Sequence, residues 1–126
     1  MNKYILLALM FLSHFSHAGE DGSLWVWQSN NDERTFSIVL NKSAHGYNGT
    51  YCAVAMSGRR VDCSPKSATP FFTRINGEAF KFKTNYSSVF GEASLTLNGE
   101  ELHWEILVPP RGEHYAPKSA VLKRHQ

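Results

Sequence analysis

The chain of 126 residues carries 13 basic and 11 acidic side chains, which gives a formal net charge of +2. This near-neutral balance argues against a nucleic-acid partner, because nucleic-acid-binding domains present a basic stripe to the phosphate backbone. The length fits one small domain with room for a single hydrophobic core.

The first 18 residues predict a secretory signal peptide. Lys3 provides a short basic start, residues 4–15 are almost unbroken in their apolar character, and Ser16 and Ala18 are small residues where a signal peptidase reads them. The apolar run is too short to span a membrane, and no later run is long enough. We therefore expect a single mature domain, residues 19–126, that is periplasmic or secreted and not stably inserted in a membrane.

Strands are predicted at residues 24–28 and 35–40, and the second points its alternating residues Phe36, Ile38 and Leu40 inward. A third strand is predicted at residues 47–55, where the apolar residues occupy both parities and the inward face is ambiguous. The segments 22–25, 35–38 and 46–51 read Gly-Ser-Leu-Trp, Thr-Phe-Ser-Ile and Gly-Tyr-Asn-Gly-Thr-Tyr. Together they resemble the first three strands of avidin-like and lipocalin-like barrels, which open with Gly-x-Trp and reach a Gly-Thr-Tyr. The resemblance implies a barrel architecture and does not imply biotin or lipid binding.

Cys52 and Cys63 are the only cysteines, and export would place them where a disulfide is the default. If Ser57 and Gly58 form the tip of a hairpin, the two cysteines lie directly opposite each other, within bonding range. The same register pairs two further positions, Val54 with Val61 and Ala55 with Arg60.

Two Asn-Gly pairs, at 76–77 and 98–99, predict hairpins with two-residue turns. The second turn pairs Leu95 with Leu102, Ala93 with Trp104 and Gly91 with Ile106. The first turn pairs Phe71 with Phe82 and Thr73 with Phe80. A connection at Tyr86 and Ser87 then sets Phe82 beside Gly91 and Phe80 beside Ala93. Large side chains thus meet small ones across three strands, as close packing requires.

A last strand is predicted at residues 120–124, after a stretch that Pro109, Pro110 and Pro117 keep out of regular structure. No window after the signal shows helical periodicity. The predicted fold class is all-β, an antiparallel meander of seven to eight strands closed as a barrel. A sandwich is the alternative closure.

Two segments are candidate binding sites. The first is the hairpin tip, which carries Ser57, Gly58, Arg59 and Arg60. The second is a proline-bounded loop, which carries Arg111, Glu113, His114 and Tyr115. Either segment could instead have a purely structural role. The arginines of the tip could be solvated side chains on a disulfide-bonded hairpin, and the loop could be a connector packed over the end of the barrel. The Ser-Gly-Arg-Arg-Val of the tip resembles a segment of periplasmic lysozyme inhibitors, small exported barrels. That resemblance implies that Ser57 and Arg59 or Arg60 enter a lysozyme cleft.

The register also places Glu92 opposite Glu105 on the outward face, with Lys81 beside Glu92. Two carboxylates at that spacing suit glycoside hydrolysis in principle, but a solvated charge ladder is the plainer interpretation.

The four histidines after the signal show no metal-ligand spacing, and no catalytic or phosphate-binding motif occurs. We therefore predict no metal and no cofactor. The leading hypothesis is a non-enzymatic binding protein, an inhibitor or immunity protein whose partner is a secreted cell-wall-active hydrolase. The alternatives are a carrier of a small apolar ligand and, more weakly, a glycan hydrolase using Glu92 and Glu105.

Overall fold

The computed structural model describes residues 22–65 and 69–126. The predicted signal peptide, residues 1–18, lies outside the described residues. No helix within the described ranges is long and apolar enough to cross a membrane.

The described residues form nine β-strands and one short 3₁₀ turn, Met56–Gly58, so the all-β prediction is confirmed. The strands are β1 (Gly22–Gln28), β2 (Thr35–Ser43), β3 (Gly46–Ala55), β4 (Arg60–Cys63), β5 (Phe71–Thr73), β6 (Asn76–Phe82), β7 (Gly91–Asn98), β8 (Glu101–Val108) and β9 (Ser119–His125).

The strands form one antiparallel sheet in the order β4-β3-β2-β1-β9-β8-β7-β6, with β5 paired to β3 on the same edge as β4. The first and last strands, β1 and β9, pair with each other and lie in the middle of the sheet. No ladder joins β4 or β5 to β6 within the described ranges. The sheet is therefore an open, curled half-barrel, and the predicted closed barrel and the alternative sandwich are both wrong.

The half-barrel is open because the hairpin predicted at the first Asn-Gly pair, residues 76–77, does not form. Phe71 to Thr73 pair with β3, and not with Phe82 and Phe80 as predicted. The chain turns a broader corner there: the Thr73 hydroxyl accepts a hydrogen bond from the Ile75 N–H at 3.0 Å, and Ile75 has a φ of 51°. A side chain that accepts a hydrogen bond from a nearby backbone N–H gives the backbone an alternative to a tight turn.

The second Asn-Gly pair does make a hairpin, but its register is shifted by two residues. Asn98 is the last paired residue, opposite Glu101, so Gly99 and Glu100 form the turn. Gly99 has a φ of 64°, which suits a turn with glycine at its first central position. Trp104 consequently faces Leu95, and Ala93 faces Ile106. A shift of two preserves the faces, so the predicted inward residues remain inward.

Two predicted registers are confirmed. Strand β6 pairs with β7 through Phe82–Gly91, Lys81–Glu92 and Phe80–Ala93. Strand β3 pairs with β4 through Cys52–Cys63, Val54–Val61 and Ala55–Arg60, and the two cysteines form a disulfide.

The core lies on the concave face of the sheet, where alternate residues of each strand meet. Phe36, Ile38 and Leu40 are buried there, as predicted. Trp104 is at the centre, with its ring 4.9 Å from that of Phe36. Its indole N–H donates a hydrogen bond to the Pro117 carbonyl at 2.8 Å, so the polar group of this buried side chain has a partner.

Candidate functional site

Four connections lie at one end of the half-barrel, which we call the loop end: residues 29–34, 56–59, 83–90 and 109–118. The antiparallel registers bring them together, since Thr35 pairs with Val54 and Glu105 pairs with Ser119. Both segments predicted from the sequence as binding sites therefore lie at the same end of the sheet.

The hairpin tip has an unusual backbone. Met56, Ser57 and Gly58 have φ values of 54°, 55° and 96°, so two side-chain-bearing residues in a row are left-handed. Such residues cost on the order of 1 kcal/mol each and persist only where surrounding contacts hold them. Here the Ser57 N–H donates to the Glu33 carbonyl and the Arg59 N–H donates to the Met56 carbonyl, both at 3.2 Å. The disulfide braces the strands below the tip.

This conformation presents the predicted residues to solvent. Ser57, Gly58, Arg59 and Arg60 are all exposed. Gly58 has open space around the position of a Cβ, so its backbone angle, and not a close contact, favours glycine there. The tip is thus a fixed loop with a hydroxyl and two guanidinium groups on its outside.

Asp62, which the sequence analysis did not single out, ties the loop end together. The residue is wholly buried, and its carboxylate accepts hydrogen bonds from the Tyr51 hydroxyl at 3.2 Å and from the backbone N–H groups of Asn85 and Tyr115 at 3.0 Å. A carboxylate removed from water needs such donors to offset its lost hydration. One side chain thereby fixes β4, the 83–90 loop and the 109–118 loop relative to one another.

A signal for Asp62 was present in the sequence. The register that pairs Cys52 with Cys63 also pairs Ala53 with Asp62, and Ala53 faces the core. An acidic residue on an inward face predicts a buried carboxylate with dedicated partners. The partners themselves come from distant loops, which no local pattern predicts.

Tyr51 extends this network across the opening of the half-barrel. Its hydroxyl oxygen lies 3.1 Å from the Lys83 carbonyl as well as 3.2 Å from Asp62. Burial and the neighbouring Asp62 carboxylate raise the pKa of the Tyr51 hydroxyl far above its usual value. The phenol therefore stays protonated and acts as a donor. The Tyr86 hydroxyl also donates to the Val61 carbonyl at 2.9 Å. Side chains thus connect the two edges of the sheet, between which the described residues form no ladder.

The second predicted segment is anchored at one end and exposed at the other. Tyr115 is half-buried, donates its N–H to Asp62, and accepts a hydrogen bond on its carbonyl from Arg34 at 3.0 Å. Its ring meets that of Tyr86 edge-on, with centroids 5.7 Å apart. Arg111 and Glu113 remain exposed. The remaining predicted residue, His114, is partly exposed, with its Nδ1 3.2 Å from the Gly112 carbonyl.

Exposed apolar side chains lie at the same loop end as the basic tip. Met56 is 54% exposed and Phe90 53%, and Val61, Tyr86 and Val89 are also exposed. Protein interfaces combine apolar and aromatic anchors with arginine, so this composition is typical of a surface that binds another protein. We call residues 56–61, 85–90 and 111–115 the tip surface.

The predicted carboxylate pair is not formed. Glu105 pairs with Ser94 on one side and Ser119 on the other, whereas Glu92 pairs with Val108 and Lys81. The two-residue shift of the β7–β8 hairpin separates the carboxylates, and an irregularity between Glu92 and Ala93 moves Glu92 further. Across residues 22–65 and 69–126, no group of three or more His, Cys, Asp or Glu side chains is placed to hold a metal ion.

Comparison of the chain with protein-family models, with curated proteins and with solved structures found no match. The resemblance to avidin-like and lipocalin-like barrels thus rests on the opening strands alone, and that to lysozyme inhibitors on the tip.

Proposed function

We propose that the protein is an exported binding protein, and not an enzyme, that blocks a secreted cell-wall-active hydrolase by placing the tip surface against its cleft. The observation that carries the proposal is the tip itself. Ser57, Arg59 and Arg60 project from a left-handed loop that is braced by a disulfide and by the Glu33 carbonyl.

The chemistry of the tip complements such a cleft. Most glycoside hydrolases work with a pair of carboxyl groups flanking the scissile bond, so their clefts are acidic. Two guanidinium groups and a hydroxyl offer charge and hydrogen-bond donors to those carboxylates, and arginine does so with bidentate geometry. A positive tip entering an acidic cleft also steers the encounter.

Rigidity supports the same proposal. Ordering a mobile loop on binding costs free energy, which a preformed loop avoids. The Asp62 network holds the 83–90 and 109–118 loops in a fixed relation to β4, and the Tyr86 hydroxyl donates to the carbonyl of Val61, next to Arg60, before any partner arrives. The basic tip and the apolar ring of Tyr86 then act as one interface.

The compartment is part of the proposal. The Cys52–Cys63 disulfide is compatible with a periplasmic or extracellular protein. Cleavage after Ala18 by a signal peptidase would deliver residues 19–126 to that compartment, where wall hydrolases act.

The test is an inhibition assay with the mature chain and a lysozyme or cognate wall hydrolase, using clearance of purified peptidoglycan as the readout. We expect saturable inhibition, and we expect the double variant Arg59→Ala/Arg60→Ala to raise the inhibition constant at least tenfold. Because both arginines are exposed, the melting temperature should stay nearly unchanged. Inhibition should also weaken as salt rises from about 50 to about 300 mM.

A matched control removes two positive charges from the opposite end of the sheet. Lys42→Ala/Arg124→Ala changes the net charge equally and should leave inhibition intact, since both residues lie far from the tip. Inhibition that survives the tip variant would move the site to residues 111–115. No inhibition of any wall hydrolase would overturn the proposal.

A further inference from the structure

A cavity of about 500 Å³ opens at the end of the half-barrel opposite the loop end. We call it the end cavity. Its lining includes Trp25, Leu40, Lys42, Tyr47, Leu97 and Arg124. Ligand pockets typically have volumes of about 300 to 1,000 Å³, so this cavity is large enough for a small organic molecule.

The strand register shows how the cavity arises. The inward-facing row of β2 runs Phe36, Ile38, Leu40 and continues to Lys42, and that of β9 runs through Leu122 to Arg124. Side chains two apart on a strand share a face. Both rows thus change from apolar to cationic at this mouth while still facing the concave side.

The floor of the cavity is apolar and fixed. Trp25 and Leu40 are buried, and the Trp25 indole N–H donates to the Ser23 hydroxyl at 3.0 Å. Tyr47 and Ile75 are partly buried and pack against the core. Leu97 is 41% exposed, although it lies on the inward row of β7, so an apolar ligand would cover it.

The rim is predominantly positive. Lys42, Lys123 and Arg124 line it together with one acidic side chain, Glu100, and with Gln126. Lys123 is also engaged by Glu101, through an ion pair on the sheet. Lys42 and Arg124 therefore remain as the cations in the inward register above the apolar floor.

We propose that the end cavity binds a small amphiphile with an apolar body and one anionic head group, such as a medium-chain carboxylate. The apolar body lies on Trp25, Leu40 and Tyr47, and the head group meets Lys42 and Arg124. Burying apolar surface drives such binding, and the charged head fixes the orientation of the ligand. The site is separate from the tip surface and does not depend on hydrolase inhibition.

The test uses decanoate as the probe, titrated into the mature chain by calorimetry and by tryptophan fluorescence below its micelle concentration. We expect saturable 1:1 binding. Lys42→Ala/Arg124→Ala should weaken it at least fivefold, and Leu97→Glu, which adds a repelling carboxylate at the mouth, should do the same. Decyltrimethylammonium, with the same tail and a cationic head, should bind at least tenfold more weakly.

Arg59→Ala/Arg60→Ala is the matched control and should bind decanoate with the affinity of the unmodified chain. A chain that does not bind decanoate is therefore distinguishable from one that does not inhibit a hydrolase. Absence of saturable decanoate binding would overturn the proposal, as would equal affinity for the two head groups or equal binding by all the variants. Sedimentation showing a dimer that Leu97→Glu dissociates would mean that a second copy covers the mouth, which would also overturn it.

Discussion

Removing the Asp62 carboxylate should break the hydrogen bonds that hold the 83–90 and 109–118 loops against β4. Asp62→Ala deprives the Asn85 and Tyr115 N–H groups of their acceptor, both at 3.0 Å, while Tyr51 keeps the Lys83 carbonyl within reach. Both of these hydrogen bonds are partly buried, and each donor that loses such a bond to a charged group costs about 1 to 3 kcal/mol. The relieved desolvation of the carboxylate offsets part of this loss. We expect a net destabilisation of about 3 kcal/mol.

Urea unfolding at pH 7 measures this loss directly, and for a domain of this size it corresponds to a fall in melting temperature on the order of 10 °C. Asp62→Asn, which keeps one acceptor oxygen, should lose about half as much. Hydrogen exchange should become faster at the Asn85 and Tyr115 amides, with the β7–β8 ladder unaffected. Glu113→Ala, on the exposed part of the same loop, should change stability by about 0.5 kcal/mol or less. A loss below about 1 kcal/mol for Asp62→Ala would refute the role assigned to the carboxylate.

Two further predictions concern the core. Trp104→Ala should lower the free energy of unfolding in urea by about 3 to 5 kcal/mol, because Trp104 is 1% exposed and packs on Phe36. Glu105→Ala, at an exposed position, should lower it by about 0.5 kcal/mol or less. Equal losses would mean that the faces of β8 are assigned the wrong way round. The pKa of the Tyr51 hydroxyl is raised in the folded chain, so the unfolded chain loses this proton first, and stability should fall as pH rises above about 10, by up to about 1.4 kcal/mol per pH unit. Tyr51→Phe removes this contribution, and an unchanged pH profile in that variant would contradict the assignment.

The sequence predicted what depends on local pattern. Alternation with a period of two fixes which side chains face inward, so Phe36, Ile38 and Leu40 were placed correctly. The β3–β4 register was also correct, because the two cysteines and the Ser-Gly tip constrain the same hairpin.

The errors come from turn chemistry and distant pairing. An Asn-Gly pair predicts a two-residue turn at those two residues, yet Gly99 takes the first central position with Glu100 the second. The same pair at 76–77 makes no hairpin, because Ile75 and Thr73 form the corner before it. Strand β5 then pairs with β3, a contact set by tertiary packing, and the barrel stays open.

The candidate site was predicted in pieces. Exposed arginines on a stapled tip follow from the hairpin register, and a proline-bounded loop follows from composition. The contacts that tie the two segments together were not predictable, because Asp62 makes them with residues 23 and 53 positions away along the chain. The exposed side chains of Tyr86 and Phe90 were missed as well, because no local pattern places residues 85–90 at the loop end.

Hydrogen exchange of the mature protein, alone and in complex with an inhibited wall hydrolase, tests the central claim most directly. If the tip surface enters the cleft, amides in residues 56–61, 85–90 and 111–115 should gain protection in the complex, while those lining the end cavity around Lys42 and Arg124 stay unchanged. Protection confined to the end cavity or to the outer face of β7 and β8, with the tip unaffected, would contradict the claim.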